Sequence, residues 1–325
     1  MRLILVSFLF LSFSLSAKPF KVGLVLDKGG RDDKSFNSAA YNGANDLQKK
    51  LGFDLKVVES SDDTALEPSL RTFAQHGYDL VIGIGFIMKT PIEKVAKQFP
   101  KTHFLIIDSL VALPNVRSVI FKEQEGSYLV GAIAALASKT KVVGFIGGMD
   151  IPLIRRFEMG YKAGILATQP KAQLITNYVG SSTDAWRNPT KGKELALSQI
   201  SKKADVIFQA AGASGLGVFD AAEEKKVFAI GVDSNQNWVK PGKILTSMVK
   251  RVDLAVSTTI EESMKDQFKA GEFSVGLAEG MVDYSLDEHN RKILTPEIEK
   301  VANDLKKKII EKKIIVPDYY ETNKK

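Results

Sequence analysis

Three aspartates stand where apolar runs end: Asp27 after VGLVL, Asp108 after FLII and Asp233 after FAIGV. A carboxylate in such a place can accept hydrogen bonds from a ligand's N–H or O–H groups, or it can cap the helix that follows. The first of the three opens the richest stretch of the chain, DKGGRDDKSFN, which also carries Asp33, Phe36 and Asn37. An aromatic face ringed by carboxylates and an amide suits a flat, hydroxylated, uncharged molecule. A purely local account exists beside it, with Phe36 as a hydrophobic staple and the acids as helix caps. The stretch alone leaves both open. Further on, Phe208 and Gln209 close another apolar run, and Gly212, Gly215 and Gly217 follow without the spacing of a dinucleotide-binding loop.

These residues need elements to hold them, and the pattern supplies strands alternating with helices. Val22 to Leu26 reads as a strand, and a turn at Gly29-Gly30 leads to a helix over Ala39 to Leu51. Strands follow at Asp54 to Glu59, Tyr78 to Gly83, Thr102 to Asp108 and Asn115 to Phe121, with helices between them. The pattern then restarts. A small-residue-rich helix over Glu125 to Ser138 precedes strands at Lys141 to Gly147, Gln173 to Val179, Ala204 to Ala210, Val227 to Asp233 and Ile244 to Val249. Such alternation implies parallel, doubly wound sheets with right-handed crossovers, here in two tandem units meeting near Glu123. Ligands of such sheets sit beyond the carboxyl ends of the strands, so Asp27, Asp108 and Asp233 are expected to converge on a cleft between the units.

The totals are compatible with this. The 325 residues are 44% hydrophobic and 26% charged, long enough for two domains. The first 17 residues, MRLILVSFLFLSFSLSA, have the basic start, apolar core and small residues of a signal peptide, so export to a periplasm is expected. The chain contains no cysteine, which excludes disulfides, thiolate metal sites and a lipid-bearing amino-terminal cysteine, and predicts no direct membrane anchor. The net charge of +7 is spread over scattered lysines, dense only near Lys306 to Lys308 and beyond, which reads as a solvated helix face and not a nucleic-acid surface.

The run D-x-G-G-x-D-D-K-S-F-N, with a glycine six residues past Asn37, resembles the basic membrane protein family, substrate-binding proteins of ABC transporters related to purine nucleoside receptors. Ordered matches continue in IID ending at Asp108, GGMDIPLIRRFEMGYKAG from Gly147, FQAAGASGLG from Phe208 and AIGVDSNQ from Ala229. The resemblance implies a type I periplasmic-binding-protein fold, with two lobes joined by three crossing segments. Residues 18–122 with 253–275 would form the amino-terminal lobe, and 123–252 with 276–325 the other lobe and a tail. It further implies that Phe36 and Phe208 sandwich a purine base and that Asp108, helped by Asn37 or its neighbours, binds the base edge. Asp233 and Lys250 would hold the ribose hydroxyls, and Gly212 would let backbone approach the ligand. Asp27 and Asp33 belong to the same acidic surround. A monomer that delivers its nucleoside to a membrane permease is the implied partnership, with no cofactor and no metal.

The remaining candidates point elsewhere. Arg155-Arg156 reads as a helix-surface salt bridge before an anion site, and His76, His103 and His289 show no metal-ligand spacing. Trp186 and Trp238 are open between a cleft rim and a transporter-facing surface. No Ser-His-Asp arrangement is visible, and the acids lack the spacing of a calcium loop, which speaks against a nucleoside hydrolase. A ribose-like sugar receptor and a sensory protein of the same fold are the alternatives.

Overall fold

The computed structural model describes residues 18–60 and 62–322; the signal-peptide reading falls on residues outside these. The chain builds β1 (Lys21–Leu26), α1 (Phe36–Leu51), β2 (Asp54–Glu59), α2 (Leu66–Gln75), β3 (Leu80–Ile84), α3 (Lys89–Gln98), β4 (His103–Ile107) and β5 (Val116–Phe121). It continues with α4 (Glu123–Ala137), β6 (Val142–Met149), α5 (Pro152–Thr168), β7 (Gln173–Gly180), α6 (Pro189–Ser201), β8 (Val206–Ala210), α7 (Gly215–Lys225), β9 (Phe228–Asp233) and β10 (Ile244–Lys250). The last elements are α8 (Val252–Met264), β11 (Gly271–Val275), β12 (Val282–Tyr284), α9 (Pro296–Ile310) and the short α10 (Tyr319–Thr322).

Two six-stranded sheets result, ordered β11-β5-β4-β3-β1-β2 and β12-β10-β9-β8-β6-β7. Every pairing is parallel except β10 with β12 at the edge of the second sheet. Strands covered by helices on both faces bury nearly every side chain, which is why LVIGI in β3 and VIFQA in β8 are unbroken buried runs. The chain crosses between the sheets three times: after Phe121, between β10 and α8, and between β11 and β12.

Two short strands, β11 and β12, were not expected as strands. Both sit at sheet edges, and GEFSV and VDY are too short and too polar to carry a strand signal of their own. The helix that returns the chain to the first lobe, α8, stops at Met264, where Lys265 caps it. Among the described residues no helix is long and apolar enough to cross a membrane.

Candidate functional site

The loop after β1 is built around two side chains. Asp33 accepts from the backbone N–H groups of Ser35 (2.8 Å), Asn37 (2.9 Å) and Ser38 (3.0 Å), from Ser38 Oγ (2.6 Å) and from Asn37 Nδ2 (3.0 Å). That is a helix cap for α1, and the capping account holds for this acid. Asn37 Nδ2 also donates to Asp27 Oδ1 (2.7 Å) while its Oδ1 accepts from Asp27 N (3.2 Å), so this amide pins the end of β1 to the start of α1. Asp27 keeps Oδ2 on the side of Gly85. A side chain there would begin 3.1 Å from that oxygen and 3.6 Å from the Phe36 ring, and the φ of +100° independently favours glycine.

Asp27, Asp33, Phe36 and Asn37 form one wall of a cavity with about 540 Å³ of empty space, part of it open to solvent. Gly85, Phe86 and Asp108 extend this wall from the first sheet. The facing wall comes from the second sheet and its helices: Leu153, Ile154 and Phe157 of α5, Trp186, Ala210, Gly212, Val232 and Asp233. Lys250, at the end of β10, lies between the two.

Asp108 and Asp233 each follow or close a strand with positive φ, 66° and 64°. This left-handed backbone is a conformation that aspartate tolerates better than most residues, and both residues line the cavity. Both meet Lys250. Its Nζ is 2.7 Å from Asp108 Oδ2, 3.7 Å from Glu123 Oε1 and 3.8 Å from Asp233 Oδ1, and it lies 4.7 Å from the Phe36 ring centroid. Burial works against its charge, but Asp108, Asp233 and Glu123 outweigh this and hold the ammonium above its usual range. Burial pushes the carboxyl of Asp27 up to about 6 despite the Gly29 and Asn37 hydrogen bonds, and that of Asp233 up to about 6 despite Lys250. Glu123, completely buried, is pushed up to about 7, with Arg156 and Lys250 opposing. Asp108 Oδ1, Glu123 Oε1 and Trp186 Nε1 are buried with no hydrogen-bond partner among the described residues.

Eight of the nine residues singled out from the sequence thus line one cavity. Phe208 does not. Its side chain is fully buried in the core of the second lobe, 5.1 Å from the Tyr161 ring, 5.6 Å from Phe145 and 6.5 Å from Phe157. The reason is the strand's period. Ala210, at the end of β8, reaches the cavity, and Phe208 lies two residues, about 6.6 Å, further back along the same face. The rings that the second lobe does present are Phe157 and Trp186.

Arg156 corrects a second expectation. Arg155 makes the surface pairs anticipated for it, with Asp150 (2.6 Å) and Glu158 (2.8 Å), but Arg156 is 2% exposed and bound to Glu123 (2.7 Å) and Asp318 (2.8 Å). Trp238 is half exposed and outside the cavity. His289 shares a small surface grouping with Asp287 and Glu288, none of which lines the cavity.

The cleft is held shut by polar contacts between the lobes. Ser35 Oγ donates to Asp233 Oδ2 (2.8 Å), Gln236 Nε2 to Lys34 O (2.9 Å) and Ser234 Oγ to Ser35 O (2.9 Å). At the rim Lys28 pairs with Asp184 (2.7 Å), and Thr183 Oγ1 donates to Asp63 (2.8 Å).

Residues 20–319 match the family model described as "ABC transporter substrate-binding protein PnrA-like". A CD4+ T-cell-stimulating antigen of Listeria monocytogenes is 39% identical over 93% of this chain and 89% of its own length. The ABC transporter nucleoside-binding protein BmpA of Lactococcus lactis is 35% identical, with 91% and 89% covered. Basic membrane protein A of Borreliella burgdorferi is 34% identical over 99% of this chain and 96% of its own. Among solved structures, an ABC transporter solute-binding protein from Aeropyrum pernix superposes with a TM-score of 0.85 at 29% identity, covering 94% of this chain and 95% of that one. With a two-lobed, type I periplasmic-binding-protein fold closed over an interlobe cavity, this chain belongs to the Bmp family of ABC transporter substrate-binding proteins.

Proposed function

We propose that the cavity captures a purine nucleoside outside the cytoplasm and that the protein, as a periplasmic monomer, hands it to an ABC permease. The observation that carries this reading is the pairing of aromatic faces with acceptor-rich edges. Phe36 from one lobe and Trp186 from the other offer rings to a flat base, and Asp27, Asp108 and Asp233 offer oxygens to its N–H and O–H groups. Base stacking is worth about 1–3 kcal/mol per ring, and a hydrogen bond to a charged group about 1.5–3 kcal/mol. The same acids disfavour a nucleotide. Among the described residues lining the cavity Lys250 is the one cation, and it is already committed to Asp108, so a phosphate would meet mainly negative charge. The nucleoside-binding name of the Lactococcus relative supports the same choice. Trp186 takes the stacking role that the resemblance suggested for Phe208.

Calorimetry of the ligand-stripped protein with guanosine, adenosine, inosine, uridine and ribose tests this. Purine nucleosides are expected to bind without turnover and ribose alone weakly. Trp186→Ala is expected to cost about 1–3 kcal/mol of purine affinity with the fold intact. A protein that takes up ribose and ignores every nucleoside is a sugar receptor, and the reading fails.

A further inference from the structure

The buried charges at the cavity floor do not stop at Lys250. Glu123 Oε2 accepts from Arg156 Nη1 (2.7 Å), which also donates to Phe121 O (2.5 Å). On its far side the Arg156 guanidinium grips Asp318 with two bonds, Nε to Oδ1 (2.9 Å) and Nη2 to Oδ2 (2.8 Å). Gln124 Nε2 donates to the same carboxylate (3.1 Å), and the Tyr320 ring stacks 4.4 Å from the guanidinium carbon. Asp318 and Tyr320 belong to the last described segment, anchored just before by Val316, which is buried in the same core cluster as Phe121. A continuous line of charges therefore runs from this segment to the ligand cavity: Asp318, Arg156, Glu123, Lys250, Asp108. It passes through the first crossing between the lobes, at 121–124.

We propose that the segment carrying Asp318 and Tyr320 is a clamp that sets the position of Lys250 in the cavity, acting through Arg156 and Glu123, so that Asp318 is a positioning residue for ligand capture. The physical argument is one of competition. Glu123 stands between two cations, hydrogen-bonded to Arg156 and 3.7 Å from Lys250, with the oxygen facing Lys250 left without a hydrogen bond. A bidentate carboxylate–guanidinium pair is both strong and directional. While Asp318 satisfies two donors of Arg156, that guanidinium is fixed and Glu123 can share its charge with Lys250. Without Asp318 a buried guanidinium keeps a single carboxylate partner, and Glu123 is drawn toward it. Lys250 is then left to Asp108 and Asp233 and moves away from Glu123. Arg156 also neighbours Phe157 on α5, so the same movement shifts a wall of the cavity.

The binding arm of this inference rests on the nucleoside reading, so the test has a second arm that needs no ligand. Asp318→Asn and Tyr320→Phe are compared with the unaltered chain. Without ligand, the nitrogen NMR signal of the Lys250 ammonium is expected to shift or broaden in Asp318→Asn and to stay in place in Tyr320→Phe, which keeps its ring over Arg156. An unmoved Lys250 signal in a folded Asp318→Asn overturns the clamp, whatever the ligand proves to be. With guanosine, Asp318→Asn is expected to weaken binding about fivefold or more in protein that is still folded, with a lower melting temperature because a buried guanidinium loses a partner. In an Asp108→Asn background the further loss should shrink below about twofold, because the two changes act on one ammonium. Full additivity, or unchanged affinity in Asp318→Asn, overturns it. A chain that binds no nucleoside at all defeats the ligand proposal alone, and the ammonium signal still decides the clamp.

Discussion

Two acidic regions meet in the cavity, and they are built on opposite plans. In the loop after β1, Asp33 accepts five hydrogen bonds and Asn37 ties Asp27 to the start of α1, so most polar atoms are satisfied before any ligand arrives. At the junction of the lobes, Lys250 is shared by Asp108, Asp233 and Glu123, and two of those carboxylates each keep a buried oxygen without a hydrogen bond. The first region is a finished scaffold. The second is under-satisfied, and the unpaired oxygen of Asp108, which lines the cavity, carries a cost of roughly 1–3 kcal/mol that an incoming donor can recover. The comparison teaches where binding energy is stored: the loop gives the site its shape, and the junction gives a ligand its reward.

The contrast can be broken at its strongest point first. Lys250→Met leaves buried carboxylates without their cation and is expected to cost about 3–5 kcal/mol of stability, read as a fall in the urea midpoint. A stable Lys250→Met protein would mean that the acids need no counter-charge. Asp33→Ala should cost about 3 kcal/mol, because it removes the α1 cap and strands several buried N–H groups. Saturating nucleoside should restore little more to this variant than to the unaltered chain. Asp108→Asn sharpens the comparison from the other side. It should leave melting within a few degrees while weakening purine nucleoside binding about tenfold, or ~1.4 kcal/mol, by calorimetry.

The smallest expected effect is one of pH. Asp27 and Asp233, held near 6 by burial, bind protons in the folded state that the unfolded chain has already lost at the same pH. Their contribution to stability is therefore present below about pH 4 and is lost as pH rises through about 6. Ligand binding has the opposite slope. N–H and O–H donors favour the ionised carboxylates, so affinity should rise between pH 5 and about 7, with protons released on binding. Calorimetry in two buffers of different ionisation enthalpy would register that release; its absence would mean that the acids are not the ligand's acceptors.

Much of this was legible beforehand because it is local. The apolar runs ending in Asp27, Asp108 and Asp233 declared strands and their carboxyl ends together, and a doubly wound sheet sends those ends to one place. What was not legible depended on depth along a strand or on distance in the chain. Phe208 sits two residues short of the end of β8, and nothing in FQAAG says whether ring or backbone reaches the ligand. Trp186 lies on a 3-10 turn between β7 and α6, with no periodicity to orient it. The partnership of Arg156 with Asp318 spans 162 residues, and neither residue carries a local mark of the other.

The left-handed backbone at Asp108 and Asp233 bears on how the protein can diversify. Most side chains are penalised there by the clash of their own Cβ, while aspartate, asparagine and glycine are tolerated. Change at these two places is biased toward aspartate, asparagine and glycine, although lysine also adopts this backbone elsewhere in the chain, at Lys34 and Lys226 among others. Substitution is less constrained by backbone along the rest of the wall, at Phe86, Leu153, Ile154 or Trp186, where φ is not left-handed.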